Sequence, residues 1–524
     1  MTKKIVDKYL ILLLVILIEG AFVMEVELLG AKLISPFYGN SFKMWTAVIT
    51  ISILALTIGY FIGGFLSKRQ KKLEILSFLL LFSGIWIGLM PKLSHALIEL
   101  NLEMDLFTGA IRTSIFLLVI PIVLLSSTTP LVTQLFSDAE KNGAQAVGKV
   151  FALSTLGGVV STIILGFYVV PLFGLSIVFV SSAIILLVLS LFIKRGIVNY
   201  FLFGIGVILV FNYNSFSADI SEKFGNSEFL SIEEGMMGQL KVLEDRYPQV
   251  DTSYRTLIIN GIPQTIIIND EHASSFWNYV HKISALSTLK RNKDAVLFGM
   301  GGGSIASELT KMGLNSLTIV DVDARMYDIS EKYFYFKKGN SNLVVDDARH
   351  FIKTATRKFD LAVFDVCSGE VQPSNVFTIE GISDLDEILN GDAIVLIQYQ
   401  ELTNESKKSG SQSLCKTFNK AGYHTYVDIE KGEIDNIIIV ASKKYVNFKN
   451  VRKENLNRND SIQPWMDAFL SNLPKKADTK RGVLLCDDKP QLEILNEETI
   501  MHWRNNINLH YNIPNIRQKT VFVK

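Results

Sequence analysis

At 524 residues the chain exceeds what a single hydrophobic core organises, so roughly two or three domains are expected. A net charge of +1 and a pI near 7.6 give no electrostatic basis for nucleic-acid binding, and three cysteines (Cys367, Cys415, Cys486) make neither a disulfide framework nor a metal-ligand spacing. The hydrophobic share of 49% and mean hydropathy of +0.29 are high for a soluble enzyme, and the excess lies in the first two hundred residues.

Apolar runs of bilayer-crossing length occur at Tyr9–Ile34, Trp45–Leu66, Leu73–Met90, Ser114–Leu135, Val150–Val170 and Ser176–Ile193. The first is too long for a cleaved leader and is followed by further spans. Basic residues sort to one side. Lys3, Lys4 and Lys8 precede the first run, Lys68, Arg69, Lys71 and Lys72 follow the second, and Lys194 and Arg195 follow the sixth. The loop after the third run carries Glu99, Glu103 and Asp105 instead. This asymmetry predicts a multi-pass plasma-membrane protein with a cytoplasmic N-terminus.

A seventh run, Ile197–Phe211, is marginal in length and contains Asn199. Six crossings, with this run interfacial or re-entrant, leave the C-terminal half in the cytoplasm; seven place it outside. The cytoplasmic arrangement is the one expected. Glu19, Glu25 and Glu27 fall inside the first run, where acids face a bundle interior. They serve as a polar or cation-accepting site, or bond to hydroxyls such as Ser126, Thr128 and Thr129. Gly157, Gly158 and Ser161 suit close helix packing.

Residues 1–212 are therefore read as a helical membrane bundle, and 213–288 as a linker and small β-rich subdomain. Within the latter, 234–245 and the segments YRTLIING and PQTIII read as strands, and Asn260-Gly261 is a two-residue hairpin signal. His272–Thr288 has helical periodicity and reads as a packing helix. Residues 289–500 read as a Rossmann-like α/β domain, with 501–524 as a tail.

The α/β domain opens on AVLFGMGGGSIASE, a strand (Ala295–Phe298), a glycine turn (Gly299, Gly301, Gly302, Gly303) and a helix starting at Ser304 and capped by Gly313. The next strand, Ser316–Val320, ends in Asp321, about twenty residues on, where a carboxylate can hold ribose hydroxyls. Asn342–Val345 ends in Asp346-Asp347 and Leu361–Phe364 in Asp365; Ala393–Ile397 and Ile437–Ala441 are further buried strands. This alternation predicts a parallel sheet with acids in register along its carboxyl rim. Gly-x-Gly-x-Gly fits an S-adenosyl nucleoside better than a dinucleotide.

These residues resemble the spermidine synthase (polyamine aminopropyltransferase) family, in particular its membrane-fused members. MEVELLGAKLISPFYGNSFKMWT and GYFIGGFLSKR look like their first two spans, and YRTLIINGIPQ is similar to the strand pair ending in Gln264. FDVCSGEVQPSNVFTIEG resembles D-A-F-S-G-x-x-x-P-x-x-x-x-T-x-E through Asp365, Ser368, Gly369, Pro373, Thr378 and Glu380. LLCDDKPQLEIL resembles a late T-D-D segment through Asp487 and Asp488.

The resemblance implies aminopropyl transfer from decarboxylated S-adenosylmethionine to an amine such as putrescine, without a metal. It makes Asp365 the catalytic carboxylate. The nucleoside site comprises the four glycines, Asp321 at the ribose, Asp346 and Asp347 by the adenine, and Gln264. Ser368, Glu370, Gln239 and Asp487 are candidate substrate contacts, and a homodimer is implied by analogy. Soluble synthases carry an Asp where this chain has Ser304 and another where it has Ser368. Two alternatives stay open: an S-adenosylmethionine-dependent methyltransferase, and a non-catalytic nucleoside or polyamine sensor or transporter.

Overall fold

The computed structural model describes residues 3–39, 42–101, 104–140, 143–214, 227–233, 235, 237–247, 252–270, 272–290, 293–312, 314–367, 372–402, 409–451, 463–489 and 491–508. The chain divides into two compact units, one built mainly from residues 1–222 and the other mainly from 241–506.

The first unit is helical: α1 (Lys3–Tyr38), α2 (Phe42–Leu66), α3 (Lys72–Leu100), α4 (Leu106–Ser126), α5 (Thr128–Glu140), α6 (Gly143–Ile164), α7 (Val170–Ile193) and α8 (Ile197–Asn214). Among the described residues six stretches are long and apolar enough to cross a membrane, α4 and α5 counting as one, Leu106–Asp138; Ile197–Val210 is a shorter apolar helix. One end of this unit is marked by ion pairs, Lys72–Asp138 at 2.7 Å and Lys194–Glu74 at 3.2 Å, which join the start of α3 to the ends of α5 and α7. The small residues of α6 permit close approach. A Cβ on Gly157 would stand 2.0 Å from the Leu17 carbonyl oxygen of α1, and Ser161 donates to the Ala21 carbonyl at 3.0 Å. The apolar stretch at 197 packs on α3. Asn199 donates to Ser77 of α3, and Gly206 and Val210 lie against Ile85 and Gly88 further along it, so α8 enters the bundle beside α3.

The second unit contains an antiparallel four-stranded sheet, β1 (Ser227–Glu233), β2 (Leu240–Tyr247), β3 (Thr252–Ile259) and β4 (Ile262–Ile268), then α9 (Asn278–Ser287). Asn260 (φ 49°) and Gly261 (φ 78°) make the β3–β4 turn in the left-handed conformation the sequence calls for. The main sheet follows from β5 (Asp294–Phe298), α10 (Ser304–Lys311), β6 (Ser316–Asp321), α11 (Arg325–Tyr333), β7 (Asn342–Val345), α12 (Ala348–Thr354), β8 (Phe359–Phe364), α13 (Ile379–Glu387), β9 (Leu389–Glu401), α14 (Gly410–Lys420), β10 (His424–Glu430), β11 (Asp435–Ser442), α15 (Gln463–Ser471) and β12 (Lys475–Lys476). Two helices, α16 (Leu492–Leu495) and α17 (Glu497–Ile507), close it.

Strand order is β12-β10-β11-β9-β8-β5-β6-β7. The run β9-β8-β5-β6-β7 is parallel, as expected. The other edge is not: β11 is antiparallel to β9, and β10 returns beside it as a hairpin. Buried Val296, Phe298, Ala362, Phe364, Val395 and Ile397 belong to one core on a face of the sheet, where Phe298 and Phe364 stack at 4.6 Å. Strands buried on both faces read as continuous apolar runs, as these do.

Candidate active site

The carboxyl ends of β5, β6, β7 and β8 are stitched into one rim by single backbone bonds. Gly299 N donates to the Val320 carbonyl at 2.9 Å, Asp346 N to that of Asp321 at 3.0 Å, and Asp365 N to that of Phe298 at 2.9 Å. Asp321, Asp346–Asp347 and Asp365 therefore stand on adjacent strand ends beside the glycine turn, where open α/β sheets bind ligands.

Glycine is required in that turn for two reasons. Gly299, Gly301 and Gly303 have φ of 85°, 50° and 81°, and a Cβ on Gly299 would stand 2.1 Å from the Asp365 carbonyl oxygen. Gly302 N donates to Thr265 Oγ1 of β4 at 2.8 Å, so the four-stranded sheet supports the turn. Thr265 is the neighbour of the anticipated Gln264, which is half-buried on the same strand; Gln239 is buried just ahead of β2.

Asp321 holds the turn from the other side. Its Oδ2 accepts from Met300 N at 2.8 Å and its Oδ1 from Asp323 N at 2.9 Å. A carboxylate offers about four lone-pair directions, so acceptor capacity remains for a ligand hydroxyl. Burial raises the Asp321 carboxyl above its ordinary range, opposed by these backbone N–H groups. Asp347 caps α12, accepting from Arg349 N at 2.9 Å and His350 N at 3.1 Å, and Asp346 faces His350 Nδ1 at 2.8 Å.

Asp365 is the most perturbed acid on the rim. Burial pushes it up to about 6, and the Tyr279 hydroxyl, donating at 3.3 Å, pulls it back. Tyr279 falls within the packing helix that the sequence predicts over His272–Thr288, where a tyrosine at helical spacing looks like core. Its buried hydroxyl is driven well above its usual range by burial and by the Asp365 charge, so it stays a donor. The sequence offered no signal for this partnership. It arises because α9 is fastened to β10: Lys282 Nζ lies 2.8 Å from Asp428 and 3.1 Å from Glu430, and Asn278 donates to Glu430 at 3.1 Å.

Asp487 is engaged away from this partnership. Arg349 of α12 donates to Asp487 Oδ2 at 3.2 Å, Thr378 Oγ1 bonds its other oxygen, and Glu380 accepts from Asp487 N at 2.9 Å. The Thr378, Glu380 and Asp487 of the two quoted motifs thus meet through Arg349, which also pairs with Asp384 at 2.8 Å. Among the described residues Ser304 Oγ at the start of α10 has no hydrogen-bond partner. Gly313, Ser368 and Glu370 lie outside the described residues. Cys367 is exposed, Cys415 buried. A cavity of about 370 Å³ lined by Glu401, Asp428, Lys431 and Arg481 opens elsewhere on the unit and includes none of the rim acids.

A rim of acids around a glycine turn suits a cationic ligand with a polyhydroxylated part, and a carboxylate with a raised pKa suits proton transfer near neutrality. Among the described residues no group of three or more His, Cys, Asp or Glu side chains is placed to hold a metal ion.

Residues 280–450 match the spermine/spermidine synthase domain family. The polyamine aminopropyltransferase of Thermoplasma volcanium is 24% identical over 185 residues, covering 34% of this chain and 67% of that protein. Polyamine aminopropyltransferase 2 of Aquifex aeolicus is 28% identical over 193 residues, covering 34% of this chain but only 38% of that protein. Among solved structures, a probable spermidine synthase from Corynebacterium glutamicum aligns with a TM-score of 0.36 at 19% identity, covering 49% of this chain and 97% of that one. The likeness to spermine/spermidine synthases is thus carried by residues 280–450, within the second unit.

Proposed function

We propose that this protein is a membrane-anchored aminopropyltransferase that moves the aminopropyl group of decarboxylated S-adenosylmethionine to a diamine of the putrescine type, releasing methylthioadenosine. The observation that carries the reading is Asp365, raised to about 6 and hydrogen-bonded to Tyr279, on the same rim as the glycine turn and Asp321. The resemblance and the family match supply the reaction type.

In this reading the diamine arrives as an ammonium ion and transfers a proton to the Asp365 carboxylate. The freed amine lone pair attacks the propyl carbon next to the sulfonium. The carbon–sulfur bond breaks, its electrons return to sulfur as a neutral thioether, and the new secondary amine keeps the positive charge. Asp321 orients the ribose, Asp346 and Asp347 lie toward the base, and Tyr279 positions Asp365 without titrating. The six apolar stretches hold the protein in the plasma membrane with its N-terminus and its site in the cytoplasm, where the donor is found.

A second reading, methyl transfer from S-adenosylmethionine, draws on Ser304. Its unpartnered hydroxyl occupies the position where the resemblance expects an acid, so a donor carboxylate would meet no like charge there. Calorimetry on the full-length protein separates the readings. Tight binding of the decarboxylated donor, with methylthioadenosine release on adding putrescine, is expected. Preference for the carboxylated donor supports methyl transfer, and no turnover with any amine overturns the aminopropyl reading.

A further inference from the structure

The helical unit contains a polar cluster that transferase chemistry does not use. Glu19 of α1 and Glu25 six residues on are each 1% exposed, and among the described residues neither has a basic partner. Ser154 of α6 donates to Glu19 Oε2 at 2.8 Å, and Ser182 of α7 donates to Glu25 Oε2 at 2.7 Å. The hydroxyl of Thr129, 1% exposed, lies beside the Glu19 carboxylate and among the described residues completes no well-formed hydrogen bond. Thr129 sits just past a one-residue interruption: between α4, ending at Ser126, and α5, beginning at Thr128, Ser127 keeps helical φ and ψ and its N–H still bonds the Val123 carbonyl at 3.0 Å, so the stretch runs on as one span. The interruption is packed hard against α2, where Ser127 Oγ donates to the Gly59 carbonyl at 3.0 Å.

These groups share a depth. Tyr9 of α1 touches Phe136 of α5, so both helices meet at the end marked by the Lys72–Asp138 pair. Glu19, Thr129 and Ser154 are each about ten residues from the Tyr9, Asp138 and Gly143 ends of their apolar stretches, roughly 15 Å and so near the middle of a hydrocarbon core about 30 Å thick. An unpaired carboxylate there is strongly disfavoured, and an intramembrane acid set among hydroxyls is by default a candidate ion or proton site. One acid with neutral hydroxyls balances a single positive charge, which excludes a divalent ion on stoichiometry.

We infer that Glu19, Thr129 and Ser154 form a site for a small monovalent cation, at which the Glu19 carboxyl gives up its proton to solution as the cation binds. Charge balances: the neutral acid plus the cation becomes a carboxylate–cation pair plus one released proton. Sodium ion and a primary ammonium ion share the chemistry of being held by one carboxylate oxygen and two hydroxyl oxygens. Tyr60 of α2 is the other titratable group close enough to sense the Glu19 charge, and its ordinary range lies far above neutral pH.

The test uses the full-length protein in phosphatidylcholine nanodiscs, weakly buffered near pH 7.5 with an indicator dye. Sodium chloride and propylammonium chloride are titrated in separate arms, with choline chloride as the bulky control. About one proton per protein is expected at saturation in one or both of the first two arms and none with choline, and the arm that responds identifies the cation. Glu19→Gln should abolish release, and Thr129→Ala should weaken apparent affinity about tenfold while keeping the stoichiometry. No release in either arm, as for a permanently protonated packing acid, overturns the inference, as does equal release from Glu19→Gln. If that variant fails to fold, unchanged affinity in both Thr129→Ala and Ser154→Ala overturns it instead.

Discussion

Asp365 and Tyr279 make opposite demands on one proton. Burial disfavours the carboxylate and lifts Asp365 from 3.8 to about 6, whereas the Tyr279 hydroxyl favours the charged form. A base of this kind works only when ionised, so turnover should rise with pH through about 6. Tyr279→Phe removes the donor. At 3.3 Å that bond is long, so the loss belongs near the low end of about 1.5–3 kcal/mol for a bond to a charged group. The rising limb of the kcat–pH profile should therefore move up by about one pH unit, with activity largely recovered at pH 9. A uniform loss at all pH values would instead mean that Tyr279 only packs. Asp365→Asn should abolish turnover while leaving nucleoside affinity intact. A group raised in the folded state contributes stability that is complete below its unfolded value and lost as pH rises through its folded one. The Asn variant should therefore match the wild type near pH 3.5 and out-melt it above pH 6, by at most about 3 kcal/mol since the cleft admits some solvent. Thermal melts at the two pH values check this. Of these two residues the sequence disclosed one: an Asp at a strand end beside a glycine turn has few explanations, whereas a Tyr in an amphipathic helix has an ordinary one. Asp347 shows that both explanations can hold for one residue, since it sits on the rim and also caps α12.

The glycine turn and the strand ends around it act as one element, because the backbone of β8 leaves no room for a side chain on Gly299. Gly299→Ala would place a methyl 2.1 Å from the Asp365 carbonyl oxygen at φ 85°, displacing the acid and the turn together. A loss of at least about 2 kcal/mol and of detectable nucleoside binding is expected. Gly391→Ala is the matched control. It lies on β9 with open space around it and should stay within about 0.5 kcal/mol in urea unfolding. Equal effects at the two positions would mean that the turn is not held as described. These elements were legible because strand, glycine turn and helix carry separate signals at fixed spacing. The antiparallel edge was not. Ile437–Ala441 reads as buried strand, but an apolar run carries no mark of its direction, and β10, with polar His424, Thr425 and Asp428 along it, lacks a strong period.

For the whole molecule, the side of the membrane that the second unit occupies determines whether an S-adenosyl donor reaches the rim. The ion pairs Lys72–Asp138 and Lys194–Glu74 gather the start of α3 and the ends of α5 and α7 at one end of the helical unit, the end that the charge asymmetry predicts to face the cytoplasm. α7 returns the chain to that end, and α8 then enters beside α3 with an apolar stretch, Ile197–Val210, of roughly 21 Å against a core of about 30 Å. The expectation of a re-entrant α8, with the second unit on the cytoplasmic side, rests on that shortfall in apolar length. Cys367 is exposed, whereas Cys415 is buried and Cys486 only part-exposed, so a membrane-impermeant maleimide reads mainly Cys367. Labelling is expected in inverted vesicles and not in right-side-out ones, and Cys367→Ser should remove most of it. Labelling from the outside alone would mean that α8 completes a seventh crossing. The rim would then have the geometry of a transferase with no donor within reach, and the cation site at Glu19 would be the remaining candidate for what the protein does.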